Sequence, residues 1–250
     1  YAAYGLLDEK FKYGGGTRFF LTKEPRRLMK LVYKHDVEQV GLSSNSFNSA
    51  NAVSSVARRN PLNKLVFNTK YRASFEREWT AGLQSTIMLR NASISPLGIT
   101  PFIKTNPETS IQDSITNITT SEASLLIRYA HNEKHVSGEF DRVSLGTKHP
   151  IITVFYTYGI PNLFNSEYEY HKLVFGYKHK FSLGIIGTTK YQFSVGKVWG
   201  DLPYPLLEVH PGNETWGYNE NSYNLMNINE FVSDEYVSFS IHQHLGGIFL

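Results

Sequence analysis

Residues 64–79 read KLVFNTKYRASFEREW, and their alternation constrains everything around them. Leu65, Phe67, Thr69, Tyr71, Ala73, Phe75, Arg77 and Trp79 take the odd positions. Lys64, Val66, Asn68, Lys70, Arg72, Ser74, Glu76 and Glu78 take the even ones. Successive side chains of a strand point to opposite faces, so a period of two means extended chain between two unlike environments. Strands of soluble proteins average about 5–6 residues, whereas a tilted strand crossing a bilayer needs roughly 9–11. Trp79 closes the apolar face where an interfacial aromatic belongs. The pattern predicts a membrane-spanning barrel strand.

The chain has 250 residues and no apolar run of about 18, so it predicts no transmembrane helix. A barrel alternates lipid-facing and interior residues, so an ordinary hydrophobic content of 41% is compatible with one. Sixteen Tyr, sixteen Phe and three Trp would supply the aromatic girdles that flank a barrel's apolar band. A net charge of +3 without a basic run argues against nucleic acid. The absence of cysteine removes disulfides and thiolate metal sites. Tyr1 opens in a strand-like YAAYGLL and Leu250 closes HLGGIFL in mid-pattern. We therefore expect residues 1–250 to be one barrel domain, a fragment of a longer protein whose flanking regions are absent, so missing targeting signals carry no weight.

Strands are expected at 1–7, 11–21, 27–36, 64–79, 83–91, 122–131, 151–159, 169–181, 185–199, 223–232 and 236–245, with 139–145 either a strand or part of a folded loop. Glycines 14–16 mark a bend or a close backbone approach. The total is eleven or twelve strands, with no helix. Residues 37–62, 93–121 and 200–221 are expected as long polar connections. Barrels place short turns on the periplasmic side and long loops outside, and the connections after Asp36 and Asn91 fit that habit. The side of the connection after Trp199 depends on whether 139–145 spans. A soluble sandwich or lipocalin-like barrel also alternates, but several strands here exceed ten residues.

Several phrases resemble one family: KYGGG (12–16), YKHDVEQVG (33–41), FDRVSLGTKHPI (140–151), YEYHKL (168–173), GDLPYPLLEVHPGNETW (200–216) and LMNINEFVSDEYVSF (225–239). Together they are similar to the C-terminal barrel of an uncharacterised outer-membrane family of the Bacteroidota, which carries a carboxypeptidase-regulatory-like domain ahead of the barrel. The resemblance implies a transmembrane antiparallel β-barrel, distantly similar to barrels of outer-membrane assembly and surface-antigen proteins. It supplies no catalytic residues, and the carboxypeptidase-like domain is a structural module rather than a peptidase.

Residues 203–216 are the most unusual segment. Pro203, Tyr204, Pro205, Glu208, His210, Pro211, Gly212, Asn213 and Glu214 combine fixed turns with His and carboxylates at short spacing. A divalent-ion site and a rigid loop folded into the lumen or along the rim both fit, and the loop is favoured because no second ligand cluster points to the same place. There, prolines pre-set the turns and Gly212 would supply a positive φ. His242 and His244 share a strand face with Ser238 and Ser240, the raw material of a hydrolytic pair, but without a nucleophile elbow. Lys64, Lys70, Arg72, Lys172, Lys178, Lys180 and Lys190 form a basic interior set. They would attract anionic solutes, or pair with Glu76, Glu78, Glu169 and Glu230. Trp79, Trp199, Tyr191 and Phe193 are candidate interfacial aromatics. Asn-X-Ser/Thr occurs at Asn91, Asn117 and Asn213, a pattern of little meaning in bacteria, and Asp113-Ser114-Ile115 resembles a short bacterial O-glycosylation motif on Ser114.

We therefore expect a non-enzymatic outer-membrane barrel without catalytic residues, cofactor or metal. Its expected surroundings are outer-membrane lipid and other subunits of a transport or protein-assembly complex. A stand-alone pore or lipid- or solute-handling barrel is the alternative, and a barrel-embedded hydrolase a third.

Overall fold

The computed structural model describes residues 1–6, 9–39, 65–80, 82–97, 102–105, 112–138, 141–219 and 222–246. Among the described residues there are sixteen strands: β1 (Ala2–Tyr4), β2 (Phe11–Thr22), β3 (Arg27–Gln39), β4 (Leu65–Thr80), β5 (Leu83–Leu97), β6 (Phe102–Thr105), β7 (Gln112–Ile115), β8 (Ile118–Ala130), β9 (Lys134–Ser137), β10 (Arg142–Gly146), β11 (Ile151–Gly159), β12 (Tyr170–Ser182), β13 (Thr188–Trp199), β14 (Glu208–Val209), β15 (Val232–Ser233) and β16 (Glu235–His244). Two single 3-10 turns, Gly184–Ile186 and Tyr204–Leu206, are the helical elements among the described residues. Ten strands form one antiparallel sheet in the order β1-β2-β3-β4-β5-β8-β11-β12-β13-β16, with β1 and β16 at its edges. β6–β7, β9–β10 and β14–β15 are separate two-stranded units.

The organising alternation is realised as β4, sixteen residues long and paired along its length with β3 and β5. Register carries its polar face across the sheet. Arg72 stands opposite Arg90, Arg90 opposite Glu122, Glu122 opposite Gly159, and Gly159 opposite Tyr170. The other face carries Leu31, Tyr71, Leu89, Leu125, Tyr156, Leu173, Val195 and Phe239, all exposed. On β16, Val237, Phe239 and Ile241 are 71%, 59% and 60% exposed. The buried hydrophobic cluster lies elsewhere, at the end of the sheet reached by the long connections: Val66, Phe102, Ile118, Tyr168, Tyr170, Leu206 and Val209.

The strand ends joined in β2–β3, β4–β5, β8–β11 and β12–β13 lie at one end of the sheet, and those joined in β1–β2, β3–β4, β5–β8, β11–β12 and β13–β16 at the other. The expected stretch 139–145 does not span; its described part belongs to the β9–β10 hairpin. The connection after Trp199 therefore falls on the long-loop end. The expected strand that fails is 223–232, a series of turns held by backbone bonds such as Met226 N to Tyr223 O at 3.1 Å. Its alternating apolar residues imitate a strand, but only Val232 enters one. With 139–145 in a folded loop the expected count is eleven, and the loss of 223–232 leaves ten in the main sheet.

Strands β5 and β8 also reach further than expected, into 93–97 and 118–121, so the described part of the expected loop 93–121 is mostly strand, including the paired β6 and β7. Strand β3 likewise continues to Gln39; most of the expected loop 37–62, and Lys64, lie outside the described residues. The close approach expected at glycines 14–16 holds for two of them. A Cβ on Gly14 would meet the Tyr1 ring at 2.8 Å, and one on Gly16 the Leu31 carbonyl at 2.9 Å.

Candidate functional site

The polar face is a continuous ion-paired surface. On β3 and β4, Lys70 and Lys34 converge on Glu38 at 3.0 and 2.9 Å. Arg26 and Lys30 converge on Glu76 at 3.2 and 3.5 Å. Further along, the Arg90 guanidinium and the Tyr170 hydroxyl both donate to buried Glu122. Tyr170 reaches it by lying across Gly159, where an added Cβ would collide with its ring. Of the expected basic set, Lys70 and Lys172 are ion-paired. Their partners differ, because pairing depends on a register that composition does not encode. Lys172 pairs with Glu208, Glu78 with Arg142 at 2.9 Å, and Glu169 accepts from Tyr158. Glu230 accepts instead from the Asn227 amide within its own loop.

From the long-loop end, residues 200–234 fold onto this face. Pro203 is buried; Pro205 sits in the 3-10 turn with Tyr204, whose ring meets Phe102 edge-on at 5.9 Å. Burial raises the Tyr204 hydroxyl pKa. Glu208 binds Lys172, and His210 Nε2 meets Ser233 Oγ at 2.7 Å with its ring edge-on to Tyr236. The Pro211 carbonyl accepts from Tyr223 N at 2.8 Å. Buried Asn213 donates to Gly217 O and Asn224 Oδ1, both at 2.7 Å, and buried Glu214 accepts from the Ile228 amide at 3.2 Å. Glu208, His210, Asn213 and Glu214 therefore turn to separate partners rather than to a common point. Gly212 lacks the positive φ expected of it. Glycine is needed there because a Cβ would strike the backbone of Asn227 and Ile228.

The loop also occupies the β16 residues that a hydrolytic pair would need. Tyr223 Oη meets Ser238 Oγ at 2.5 Å, and Tyr218 Oη meets His242 Nδ1 at 3.1 Å. His244 and Ser240 share that face.

At the opposite end, the β9–β10 hairpin crosses the same face. Asp141 accepts from Arg18 on β2, Arg142 donates to Glu78 on β4, and Glu133 receives both guanidinium nitrogens of Arg128 on β8 at 2.6 and 2.7 Å. The Arg128 hydrogen bonds, helped by Ser144 and opposed by burial, hold the Glu133 carboxyl down at about 2. A cavity of about 340 Å³ remains between hairpin and wall, bordered by these paired charges. Sequence reasoning missed the hairpin's role because Glu133, Asp141 and Arg142 look like ordinary loop charges.

Trp79 and Trp199 lie on the apolar face at opposite ends of the sheet, 52% and 44% exposed. Trp79 donates to Ser85 and carries the Arg77 guanidinium 3.7 Å over its ring. Tyr191 sits near the short-turn end against Tyr177 and His179, whereas Phe193 lies midway along β13. Ser114 is exposed on β7.

Fold and site define an all-β antiparallel protein with a carbon-rich exposed face and a polar face covered from both ends by its own loops. Residues 1–250 match a family of unknown function (DUF5686), C-terminal domain, and the chain belongs to that family. No curated protein matches the sequence. The crystal structure of BamA from Haemophilus ducreyi lacking POTRA domains 1-3 is similar, with a TM-score of 0.47 and 11% identity. The similarity covers 81% of this chain and 36% of that one.

Proposed function

We propose that the chain is an integral β-barrel domain of a bacterial outer membrane, without enzymatic activity, serving as an accessory subunit of a transport or protein-assembly complex. The observation that carries the membrane reading is the exposed apolar face opposite an ion-paired polar face. In water, a contiguous carbon surface of this extent is a liability; against lipid tails it is the required surface. Strands of 9 to 16 residues from β2 to β13 in the main sheet are long enough to cross at a tilt. A barrel in the bilayer must close to satisfy its edge strands, so closure belongs to the same proposal. So do the Bacteroidota source and the carboxypeptidase-regulatory-like domain that the sequence resemblance implies.

Support for a subunit role over a stand-alone pore comes from the covered polar face. Residues 200–234 and the β9–β10 hairpin fill space that a conducting barrel leaves to water. The test is recovery of the intact protein from outer membranes in mild detergent, with mass spectrometry of what accompanies it. Stoichiometric transport or assembly components establish the subunit. Recovery of the barrel alone, with conductance in planar bilayers, replaces it with the pore.

A further inference from the structure

We propose that the apolar face contains a built site for one lipid acyl chain: a groove of about 560 Å³ crossing from Gly15 on β2 to an overhang formed by residues 160–164. The proposal rests on the membrane reading above. The lining side chains Leu31, Tyr71, Ala73 and Leu89 belong to the apolar face by register, and Leu163 and Phe164 form the far wall.

Two features distinguish this groove from ordinary barrel wall. First, the polar groups beneath the overhang are already bonded to it. Ser121 Oγ donates to Leu163 O at 2.7 Å, the Ser121 amide donates to Ser166 Oγ at 3.1 Å, and Asn91 Nδ2 contacts Phe164 O at 3.4 Å. What faces the groove is then almost entirely carbon. Second, the floor is kept low by Gly15, where an added Cβ meets nothing within 4 Å. Its neighbours Gly14 and Gly16 answer to close contacts; Gly15 answers only to open space.

The chemistry selects the occupant. Strands β3, β4 and β5, which form most of the groove floor, are paired on both sides, so their backbone is not free to receive a strand from another protein. Apart from the hydroxyls of Thr17, Tyr33 and Tyr71, the carbon lining offers a headgroup nothing to bond. A flexible hydrocarbon chain, supplied by the surrounding lipid, fills such a slot without leaving a polar group unpaired.

The intact protein is placed in phospholipid nanodiscs containing a phosphatidylethanolamine with a photoreactive diazirine on its acyl chain, and labelled peptides are mapped. The expected result is label concentrated on Leu31, Tyr71, Leu89 and Phe164 above the level on Val237, Phe239 and Ile241. Gly15→Phe, which fills the floor, loses that excess while labelling of Val237, Phe239 and Ile241 persists. Phe164→Ala, at an exposed overhang, is a second variant expected to lose it with the fold intact. Uniform labelling of both regions, unchanged by either variant, overturns the groove and leaves the membrane reading standing. Label on neither region overturns both.

Discussion

Tyr218 and His242 are joined by a 3.1 Å contact between Oη and Nδ1, although one belongs to the connection after β13 and the other lies near the far end of β16. His242 is seven positions beyond Glu235, where β16 begins, which corresponds to roughly 20 Å of strand. The connection 200–234 therefore runs deep along the polar face instead of capping its rim. Losing one such hydrogen bond costs about 1 kcal/mol, or about fivefold in an opening equilibrium. Tyr218→Phe should raise the rate of proteolytic cleavage within this loop by about that factor, with no change in the remaining strands.

The loop's stronger anchor is the pair Lys172–Glu208, whose side chains are only 10% and 12% exposed. Removing one partner of a buried pair leaves an uncompensated charge and costs about 3–5 kcal/mol, whereas replacing both by apolar groups is often neutral. Lys172→Met should lower the midpoint of urea unfolding markedly, and Lys172→Met with Glu208→Leu should restore most of it.

Gly159 tests the row Arg90–Glu122–Tyr170 without touching a charge. An alanine there must push the Tyr170 ring aside and break its bond to Glu122, and overpacking of this kind costs about 1–3 kcal/mol. Gly159→Ala should destabilise the folded protein in the same unfolding assay. Paired with Tyr170→Ala, the glycine substitution should add little further loss.

What could be read from residue order was the alternation itself. β4 and β11 fall within a residue of their expected limits because each face meets one environment along its whole length. Where a loop changes that environment, the pattern misleads. Ser121 falls in the expected loop 93–121, yet it lies in a strand on the apolar face beside Asn91, under the segment 160–167 that consumes their hydrogen bonds. The reverse error occurred at 223–232, where alternation survives but Asn213 and Glu214 hold the chain in turns. In the 203–216 segment the rigid loop was legible from its prolines. Its partners Lys172, Ser233 and Asn224 were not, since they depend on how deeply the loop inserts.

Acid should release the β9–β10 hairpin. The Glu133 carboxyl, lowered from about 4.5 to about 2, binds its proton more readily unfolded than folded. Its contribution is therefore complete above about 4.5 and is lost as pH falls through about 2. Amide exchange of β9 and β10, corrected for intrinsic rates, should stay slow at pH 5 and accelerate progressively toward pH 2. Glu133→Gln should exchange faster at neutral pH and show a weaker acid response.

The central claim is that one face of this sheet meets lipid and the other does not, and β4 offers the most direct measurement. Residues 1–250 contain no cysteine, so single cysteines at positions 70 to 75, with any cysteine outside these residues replaced first, can each carry a nitroxide in the intact protein reconstituted in lipid. The account predicts that labels replacing Tyr71, Ala73 and Phe75 collide freely with oxygen dissolved in the bilayer and are shielded from a water-soluble nickel complex. Labels replacing Lys70, Arg72 and Ser74 should be poorly reached by oxygen. Ready access of the nickel complex to positions 71, 73 and 75 would contradict the account, because the apolar face would then stand in water.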